Sequence, residues 1–260
     1  MCRILFASGP GERVRELFEA LVRSAEKDPY RAERGGKRQH RDGWGYVLLK
    51  DGSVYHYRST KPIFEDSERF DLMERLGDEV VLMAHARAAS QGSVNLLNTQ
   101  PFQFSSCNGF SFWFMHNGDL NKEELLRAGN LDAERLEDAS DSYAFAAYLC
   151  KSLKGLDDEE LLKLYSLGMR LSKTTFNTGT LFVTPRAWKA LVTAYMVEKY
   201  SRDRNHWNYA RLIKLDDGET LALASSTLEL YLKAEWETVG NGEAYFIERG
   251  RIKRAELVRG

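Results

Sequence analysis

The chain has 260 residues, of which 43% are hydrophobic and 29% charged, values typical of a folded protein with a sizeable core. Its 37 Lys and Arg against 38 Asp and Glu give a net charge of −1, which excludes a global electrostatic preference for nucleic acid or a membrane surface. No apolar run approaches the roughly 20 residues of a membrane-spanning helix. The three scattered cysteines, Cys2, Cys107 and Cys150, exclude a disulfide framework, so we expect a cytoplasmic protein.

The first half of the chain predicts a strand, a helix and then further strands. The apolar run 4–7 predicts the first strand, and apolar residues at helical spacing predict a core-facing helix over 11–26. Asp51-Gly52 lies between two apolar runs, which is a strong signal for a β-hairpin. The runs 80–84 and 110–114 predict buried strands.

The tract from Glu26 to Asp42 has no clear periodicity. It contains Pro29, a Gly-Gly pair and five basic residues from Arg31 to Arg41. This composition is typical of a solvated loop or of a flexible lid beside a site, and the sequence does not choose between them.

The second half predicts helices first and strands afterwards. Helical patterns cover about 141–153 and 157–171. Strand patterns follow at 180–183, 209–213, 221–224 and 244–247. Strands, helices and strands in this order favour an α+β protein with layered sheets, because regular βαβ alternation is missing.

Several known motifs fail on inspection. His40-Arg41-Asp42 matches the catalytic tripeptide of kinases, but Val47 stands where that motif needs asparagine. The chain has no P-loop, no GxGxxG, no GxSxG elbow and no HExxH. The five histidines show no metal-ligand spacing, so we expect neither a metal nor a cofactor.

Polar residues follow two of the buried strands. Arg87 ends one strand, and the pair Asn117-Gly118 ends another. Arg is a rigid fork that suits a carboxylate, while an Asn amide beside a Gly N–H supplies two donors for an oxyanion. The alternatives are an Arg that pairs with a structural carboxylate and an Asn-Gly pair that only forms a turn.

Cys2 directly follows the initiator methionine. A cysteine in a strand is usually a small buried hydrophobe. Once Met1 is removed, however, Cys2 would carry both a nucleophile and a base, because an α-amine titrates at about pH 8 and a thiol at roughly 8.5. With Arg87 and Asn117-Gly118, Cys2 predicts an acyl-transfer site of nucleophile, anchor and oxyanion hole.

Six blocks in this order resemble the class II glutamine amidotransferases, which are N-terminal-nucleophile hydrolases. The blocks are Cys2, His40–Gly45, His85-Ala86-Arg87, Asn98–Phe102, His116-Asn117-Gly118 and Ser140-Asp141-Ser142. The resemblance runs from residue 2 to about 150 and continues more weakly beyond. It implies a four-layer αββα sandwich with two central antiparallel sheets, and a single glutamine amidotransferase domain over 1–260 with no synthase domain.

The resemblance also implies a mechanism. Cys2, freed of Met1, attacks the side-chain amide of glutamine, and its own α-amine takes the thiol proton directly or through water. The Asn117 side chain and the Gly118 N–H hold the oxyanion. Ammonia then leaves, and water hydrolyses the γ-glutamyl thioester on Cys2.

Substrate binding is implied for four residues. Arg87 corresponds to the arginine for the α-carboxylate and Asp141 to the acid for the α-ammonium, while Ser90 and Gln91 line the same pocket. Ser140-Asp141 also stands where a helix N-cap is expected, and one residue can serve both purposes. Five residues are interpreted as supports of the site, through packing or through contact with substrate: Trp44, His85, Asn98, Thr99 and His116.

The chain departs from the large synthase members, which have Trp after the arginine and a Thr-His pair beyond it, where this chain has Ala88, Ser90 and Gln91. Two enzyme hypotheses follow. The first is a glutaminase that feeds ammonia to a separate synthase subunit; the second is a γ-glutamyl amide or peptide hydrolase, whose acidic leaving group could meet the basic tract. An inactive scaffold is the third, and the intact candidate residues argue against it. The oligomeric state stays open.

Overall fold

The computed structural model describes residues 1–257. In chain order the strands are β1 (Arg3–Pro10), β2 (Trp44–Lys50), β3 (Ser53–Ser59), β4 (Glu79–Ala86), β5 (Phe102–Ser106), β6 (Phe110–Leu120), β7 (Ser172–Val183), β8 (Trp188–Ala194), β9 (Leu212–Asp216), β10 (Leu221–Ser225), β11 (Glu237–Thr238), β12 (Glu243–Glu248) and β13 (Arg251–Glu256). The helices are α1 (Gly11–Glu26), α2 (Pro29–Glu33), α3 (Glu68–Arg75), α4 (Lys122–Ala128), α5 (Asp141–Ser152), α6 (Asp158–Arg170), α7 (Glu198–Arg202), α8 (Arg204–Ala210) and a 3-10 helix, Ser226–Leu230.

The chain divides into two compact units. The first unit comprises Met1–Ala89, Val94–Pro101 and Glu198–Val239. The second comprises Ser90–Ser93, Phe102–Val197 and the segment from Gly240. The single glutamine amidotransferase domain over 1–260 stays a prediction.

The first unit is built on a seven-stranded sheet in the order β11-β9-β10-β1-β4-β2-β3. β1 pairs antiparallel with β4, in a register that sets Arg3 opposite Ala86. The beginning of β1 therefore lies beside the end of β4, which brings Cys2 next to Arg87.

Helix α1 covers one face of this sheet. Its buried Val14, Leu17, Phe18 and Leu21 recur at helical spacing and pack in one cluster with alternate residues of β1, such as Leu5. The helix predicted over 11–26 is thus confirmed at both ends.

The second unit is built on a six-stranded sheet in the order β13-β12-β8-β7-β6-β5. Aromatic side chains of β6 and β7, among them Phe114 and Phe176, pack against Phe145 of α5 and Tyr165 of α6. Every strand pair recorded in the two sheets is antiparallel. The predicted helices near 141–153 and 157–171 correspond to α5 and α6.

Two expectations need correction. The strand predicted over 209–213 begins only at Leu212, because Tyr209 and Ala210 end α8, whose N-cap Asp203 accepts a hydrogen bond from the His206 N–H. The tract 26–42 is not only loop, since it contains α2, capped by the Asp28 side chain. In the part of the chain that the structure describes, none of the helices is long and apolar enough to cross a membrane.

Candidate active site

The Cys2 thiol is held against the backbone that follows β4. Cys2 is 9% exposed. The Ala88 N–H donates to its Sγ over 3.4 Å, and Sγ lies 3.7 Å from the Ala88 carbonyl oxygen. These contacts fix the sulfur one residue beyond Arg87, in the first unit.

The segment around Arg87 is held by the turn that precedes β2. The Arg87 N–H donates to the Gly43 carbonyl over 2.8 Å, and the Asp42 N–H donates to the Arg87 carbonyl over 3.1 Å. The Asp42 carboxylate accepts a further bond, 2.8 Å long, from the Ala89 N–H. Gly43 has φ +108°, and a Cβ there would meet the Ser59 carbonyl at 2.8 Å, so only glycine fits this turn. Asp42-Gly43 therefore clamps the strand end that carries Arg87.

A buried carboxylate, Asp28, holds the beginning of β1 in place. Its Oδ2 accepts from Arg3 Nε over 2.6 Å and from His40 Nε2 over 2.8 Å. Its Oδ1 accepts from the Arg31 N–H and from the Thr227 hydroxyl, both over 3.0 Å. Two chain segments, the tract 26–42 and the 3-10 helix, are thereby tied to the residue after Cys2.

Burial and neighbouring charges determine the protonation states of Asp28 and His40. Burial would raise the pKa of the Asp28 carboxyl, but the Arg3 guanidinium and the His40 hydrogen bond outweigh burial and hold that pKa far below its usual range. Burial lowers the pKa of His40 to about 3, although Asp28 opposes the shift. Near pH 7 Asp28 is thus ionised and His40 neutral, with the proton on Nε2.

Tyr209 lies beside the N-terminus. Its hydroxyl donates to the Met1 carbonyl over 2.6 Å, and the Arg3 guanidinium stacks on its ring at 3.8 Å. Arg3 Nη1 also donates to the Tyr209 carbonyl over 3.0 Å and to the Cys2 carbonyl over 3.3 Å. Arg3, Asp28 and Tyr209 were absent from the sequence-predicted site. An Asp before Pro is a helix-cap signal, but it does not reveal a bond to Arg3.

The predicted supports in the first unit make structural contacts. Trp44 is fully buried, donates from Nε1 to Asp66 over 3.0 Å and packs against neighbouring aromatic rings. The Asn98 N–H and the Thr99 hydroxyl both bond to Asn95. His85 is buried in β4. These contacts favour the packing interpretation for Trp44, Asn98 and Thr99.

In the second unit, Asn117 and Gly118 lie within β6 and not in a turn. They pair with Asn177 and Phe176 of β7, and the register shifts between Gly118 and Leu120. A Cβ on Gly118 would lie 1.8 Å from the Thr175 carbonyl oxygen, so the two backbones approach too closely for any side chain. The turn considered from the sequence is therefore wrong.

Asp141 is the first residue of α5, and Ser140 is its N-cap. The Ser140 hydroxyl accepts from the Tyr143 N–H, while Asp141 Oδ2 accepts from the Leu120 N–H over 2.6 Å. Burial raises the pKa of Asp141, although His116 opposes the shift. The cap is therefore the Ser140 side chain, while the Asp141 carboxylate turns toward the end of β6.

His116 is buried between β7 and α5. Its Nδ1 lies 2.9 Å from the Ser142 hydroxyl and its Nε2 lies 3.2 Å from the Thr175 carbonyl, so Nε2 carries the proton. Burial lowers the pKa of His116. The His116 imidazole is therefore held on both nitrogens, next to Asn117 in the sequence.

Asp119 joins the remaining predicted residues to β6. Its Oδ1 accepts from the Ser90 hydroxyl and, over 3.5 Å, from Gln91 Nε2. Its N–H donates to the Thr174 hydroxyl over 2.9 Å. The sequence interpretation did not single out Asp119. In residues 1–257 no three His, Cys, Asp or Glu side chains group as metal ligands.

The profile of the family described as class-II glutamine amidotransferases matches residues 29–154. Over this stretch, which is less than half of the chain, the sequence is similar to that family of enzymes. The matched stretch contains every predicted site residue except Cys2.

The proteins to which the chain is similar differ in length. YafJ of Escherichia coli (strain K12) carries the provisional name of a glutamine amidotransferase. It is 29% identical to this chain over 96 residues, or 37% of each protein. The glutamine PRPP amidotransferase from B. subtilis, solved with ADP and GMP, is 18% identical with a TM-score of 0.65; the match covers all of this chain and 50% of that one. A glutamine aminotransferase class-II domain protein from Silicibacter pomeroyi is 14% identical with a TM-score of 0.54, over 99% of this chain and 100% of that one.

The two structural likenesses show the fold. With the two antiparallel sheets and their helices, they confirm the predicted α+β class. The chain spans about half the length of the PRPP amidotransferase, and the match to YafJ spans 37% of that relative.

Proposed function

We propose that the chain hydrolyses the side-chain amide of glutamine through a γ-glutamyl thioester on Cys2 and releases ammonia to a separate synthase subunit. The observation that carries the proposal is the contact of the Cys2 thiol with Ala88, one residue from Arg87, in a chain similar to this family. A nucleophile beside a carboxylate anchor is the arrangement that acyl transfer from an amino acid needs.

The proposed reaction begins with removal of Met1, which turns the Cys2 amide nitrogen into an amine. The amine takes the thiol proton, and Sγ forms a bond to the amide carbon. The Asn117 side chain and the Gly118 N–H donate to the resulting oxyanion, an interaction worth about 3–4 kcal/mol per donor in acyl transfer. The carbon–nitrogen bond breaks as the leaving nitrogen takes the proton back. Water then attacks the thioester and releases glutamate.

Recognition of the amino-acid head group is proposed for two charged residues. Arg87 pairs with the α-carboxylate through its guanidinium fork, and Asp141 accepts from the α-ammonium. The Leu120 N–H holds Oδ2 of Asp141 and the Ser142 N–H holds Oδ1, which orients the carboxylate and still leaves acceptor capacity on it. Ser90 and Gln91 complete the pocket, positioned by Asp119. Two opposite charges select an amino acid over a simple amide.

Residues around this chemistry act as supports. Arg3 and Asp28 fix the backbone at Cys2, and Asp42 fixes the backbone at Arg87. Trp44, His85, Asn98, Thr99 and His116 hold the segments that carry the reacting groups. A cytoplasmic location stays a prediction from the cysteine content.

A γ-glutamyl amide or peptide hydrolase is the second candidate. It shares the same nucleophile and head-group anchors, and differs in the leaving group. A cavity rich in basic side chains, lined in part by Asp42, favours this candidate for substrates with an acidic leaving group.

Ammonia release from glutamine by the Met1-processed protein tests the proposal, with γ-glutamyl peptide cleavage assayed in parallel. Cys2→Ala removes the thiol, and Cys107→Ala is the matched control because Cys107 is a free, exposed cysteine. We expect ammonia release by the wild type and by Cys107→Ala, and none above background by Cys2→Ala. Equal ammonia release by all three overturns the proposal, and peptide cleavage without glutamine turnover assigns the second candidate.

A further inference from the structure

The first unit contains a basic cavity of about 1190 Å³. Six of its lining residues are cationic: Arg23, Lys27, Arg31, Lys37, Arg38 and Arg41. Only Glu26 and Asp42 are acidic, so the lining has a surplus of four positive charges, six minus two. This surplus contrasts with the net charge of −1 of the whole chain.

Several of these cations do not form ion pairs within the described residues. Within residues 1–257, Lys27, Lys37 and Arg38 lie outside ion-pair distance of every carboxylate, whereas Arg41 pairs with Glu65. Arg31 instead donates to the Gln39 carbonyl. The Asp42 carboxylate accepts from the Ala89 N–H, and its charge is already counted in the surplus of four. Like charges gathered without counter-ions repel one another, and a bound anion relieves that repulsion.

The cavity shares residues with the structure around Cys2. Asp42, in its wall, bonds to the backbone on both sides of Ala88, whose N–H contacts the thiol. The Arg31 N–H bonds to Asp28, and the Asp28 N–H donates to the Arg38 carbonyl over 2.8 Å. A ligand that moves this wall therefore acts on the segments that hold Cys2 and Arg87.

We propose that this cavity binds a small anion that carries phosphate groups. Guanidinium and ammonium groups are the side-chain donors that commonly bind phosphate oxygens. Several positive charges in one lining favour a multiply charged anion over a single carboxylate. The lining residues surround one partly open cavity and do not form an extended stripe, which fits a small molecule better than a nucleic-acid strand.

Phosphate groups can reach this cavity from two sources. One is the leaving group of a γ-glutamyl substrate, and the other is an effector that binds beside the site. Binding itself does not depend on the proposed function, but the choice between these sources rests on it.

Calorimetric titration of the Met1-processed full chain with pyrophosphate tests the binding, at low and at physiological ionic strength. Lys37→Glu and Arg38→Glu reverse exposed charges of the lining, and Lys61→Glu and Arg186→Glu are matched controls on exposed residues outside it. We expect one saturable site in the wild type, binding weakened about tenfold or more by each cavity variant, and control affinities within about twofold of the wild type.

Equal affinities in all five proteins overturn the proposal, as does wild-type binding that disappears at physiological ionic strength. Kinetic assays then assign the source. Pyrophosphate that competes with a phosphorylated γ-glutamyl substrate assigns a leaving-group subsite. Pyrophosphate that changes kcat for glutamine assigns an effector site. A protein without glutamine turnover still gives the titration result, so failure of the proposed function and failure of this inference are distinguishable.

Discussion

The Nε of Arg3 donates to Oδ2 of Asp28 over 2.6 Å, and both side chains are fully buried. This ion pair joins the residue after Cys2 to the residue that caps α2. A buried cation is stable only with its partner in place, because the charge has lost its hydration. The backbone at Cys2 therefore depends on a residue 25 positions beyond Arg3.

Replacement of Asp28 by Asn is expected to lower the free energy of unfolding by roughly 3–5 kcal/mol, because it leaves the Arg3 charge buried without a counter-ion. The midpoint of urea unfolding measures this loss. Asp132→Asn is the matched control, since Asp132 pairs with Arg135 on the exposed surface. Equal midpoints for the two variants would contradict the stabilising role of the Arg3–Asp28 pair.

The pH dependence of stability is expected to contain a contribution from His40. Between about pH 6.5 and about pH 3 the unfolded histidine binds a proton while folded His40 stays neutral, because burial lowers its pKa to about 3. The unfolded state then binds more protons, so the contribution is fully present above pH 6.5 and is lost as the pH falls through this window. The maximum slope is about 1.4 kcal/mol per pH unit.

Urea unfolding of the wild type and of His40→Gln at a series of pH values measures this contribution. We expect a shallower slope for the variant below pH 6.5. His116, which the variant retains, contributes with the same sign because burial lowers its pKa also. Identical slopes for the two proteins would show that His40 is not held neutral.

Gly118→Ala is expected to abolish activity and to destabilise the second unit. The new Cβ would lie 1.8 Å from the Thr175 carbonyl oxygen, so β6 and β7 must separate where Asn117 is held. Gly155→Ala is the matched control, because the nearest atoms to a Cβ there lie at an ordinary 3.5 Å. Ammonia release and the thermal midpoint are the measurements. A Gly118→Ala protein with control-like values of both would disprove the close approach.

Arg87→Lys is expected to raise the KM for glutamine about tenfold or more while the protein stays folded. Lysine keeps the charge, but one ammonium does not reproduce the two parallel bonds of a guanidinium on a carboxylate. Steady-state kinetics of ammonia release give KM and kcat separately. The exposed Arg186→Lys is the control. An unchanged KM would assign Arg87 to a structural role.

Local patterns predicted the fold well where neighbouring residues decide the structure. Asp51-Gly52 indicated a hairpin, and the structure confirms it: β2 ends at Lys50 and β3 begins at Ser53. The apolar spacing of α1 gave both of its ends. The strand expected over 209–213 was wrong at its beginning, because Tyr209 and Ala210 also fit the end of a short helix, and the Asp203 cap stabilises that helix.

The supports of the site could not be predicted in the same way. Asp28 bonds to Thr227, 199 positions away, and Tyr209 bonds to Met1 across 208 positions. Such pairings depend on which strands become neighbours, and a single sequence does not specify them locally. The buried position of Asp28 was not predicted, because the charged tract 26–42 around it has no apolar periodicity.

Intact-protein mass spectrometry after treatment with the glutamine analogue 6-diazo-5-oxo-L-norleucine tests the central claim most directly. The Met1-processed protein and a preparation that retains Met1 are compared, with peptide mapping of any adduct. A free α-amine on Cys2 is required for the proposed proton transfer, so we predict one adduct on Cys2 in the processed protein and almost none in the Met1-retaining protein. An adduct on another residue, or equal labelling of Cys2 in both preparations, would contradict an N-terminal cysteine that serves as its own base.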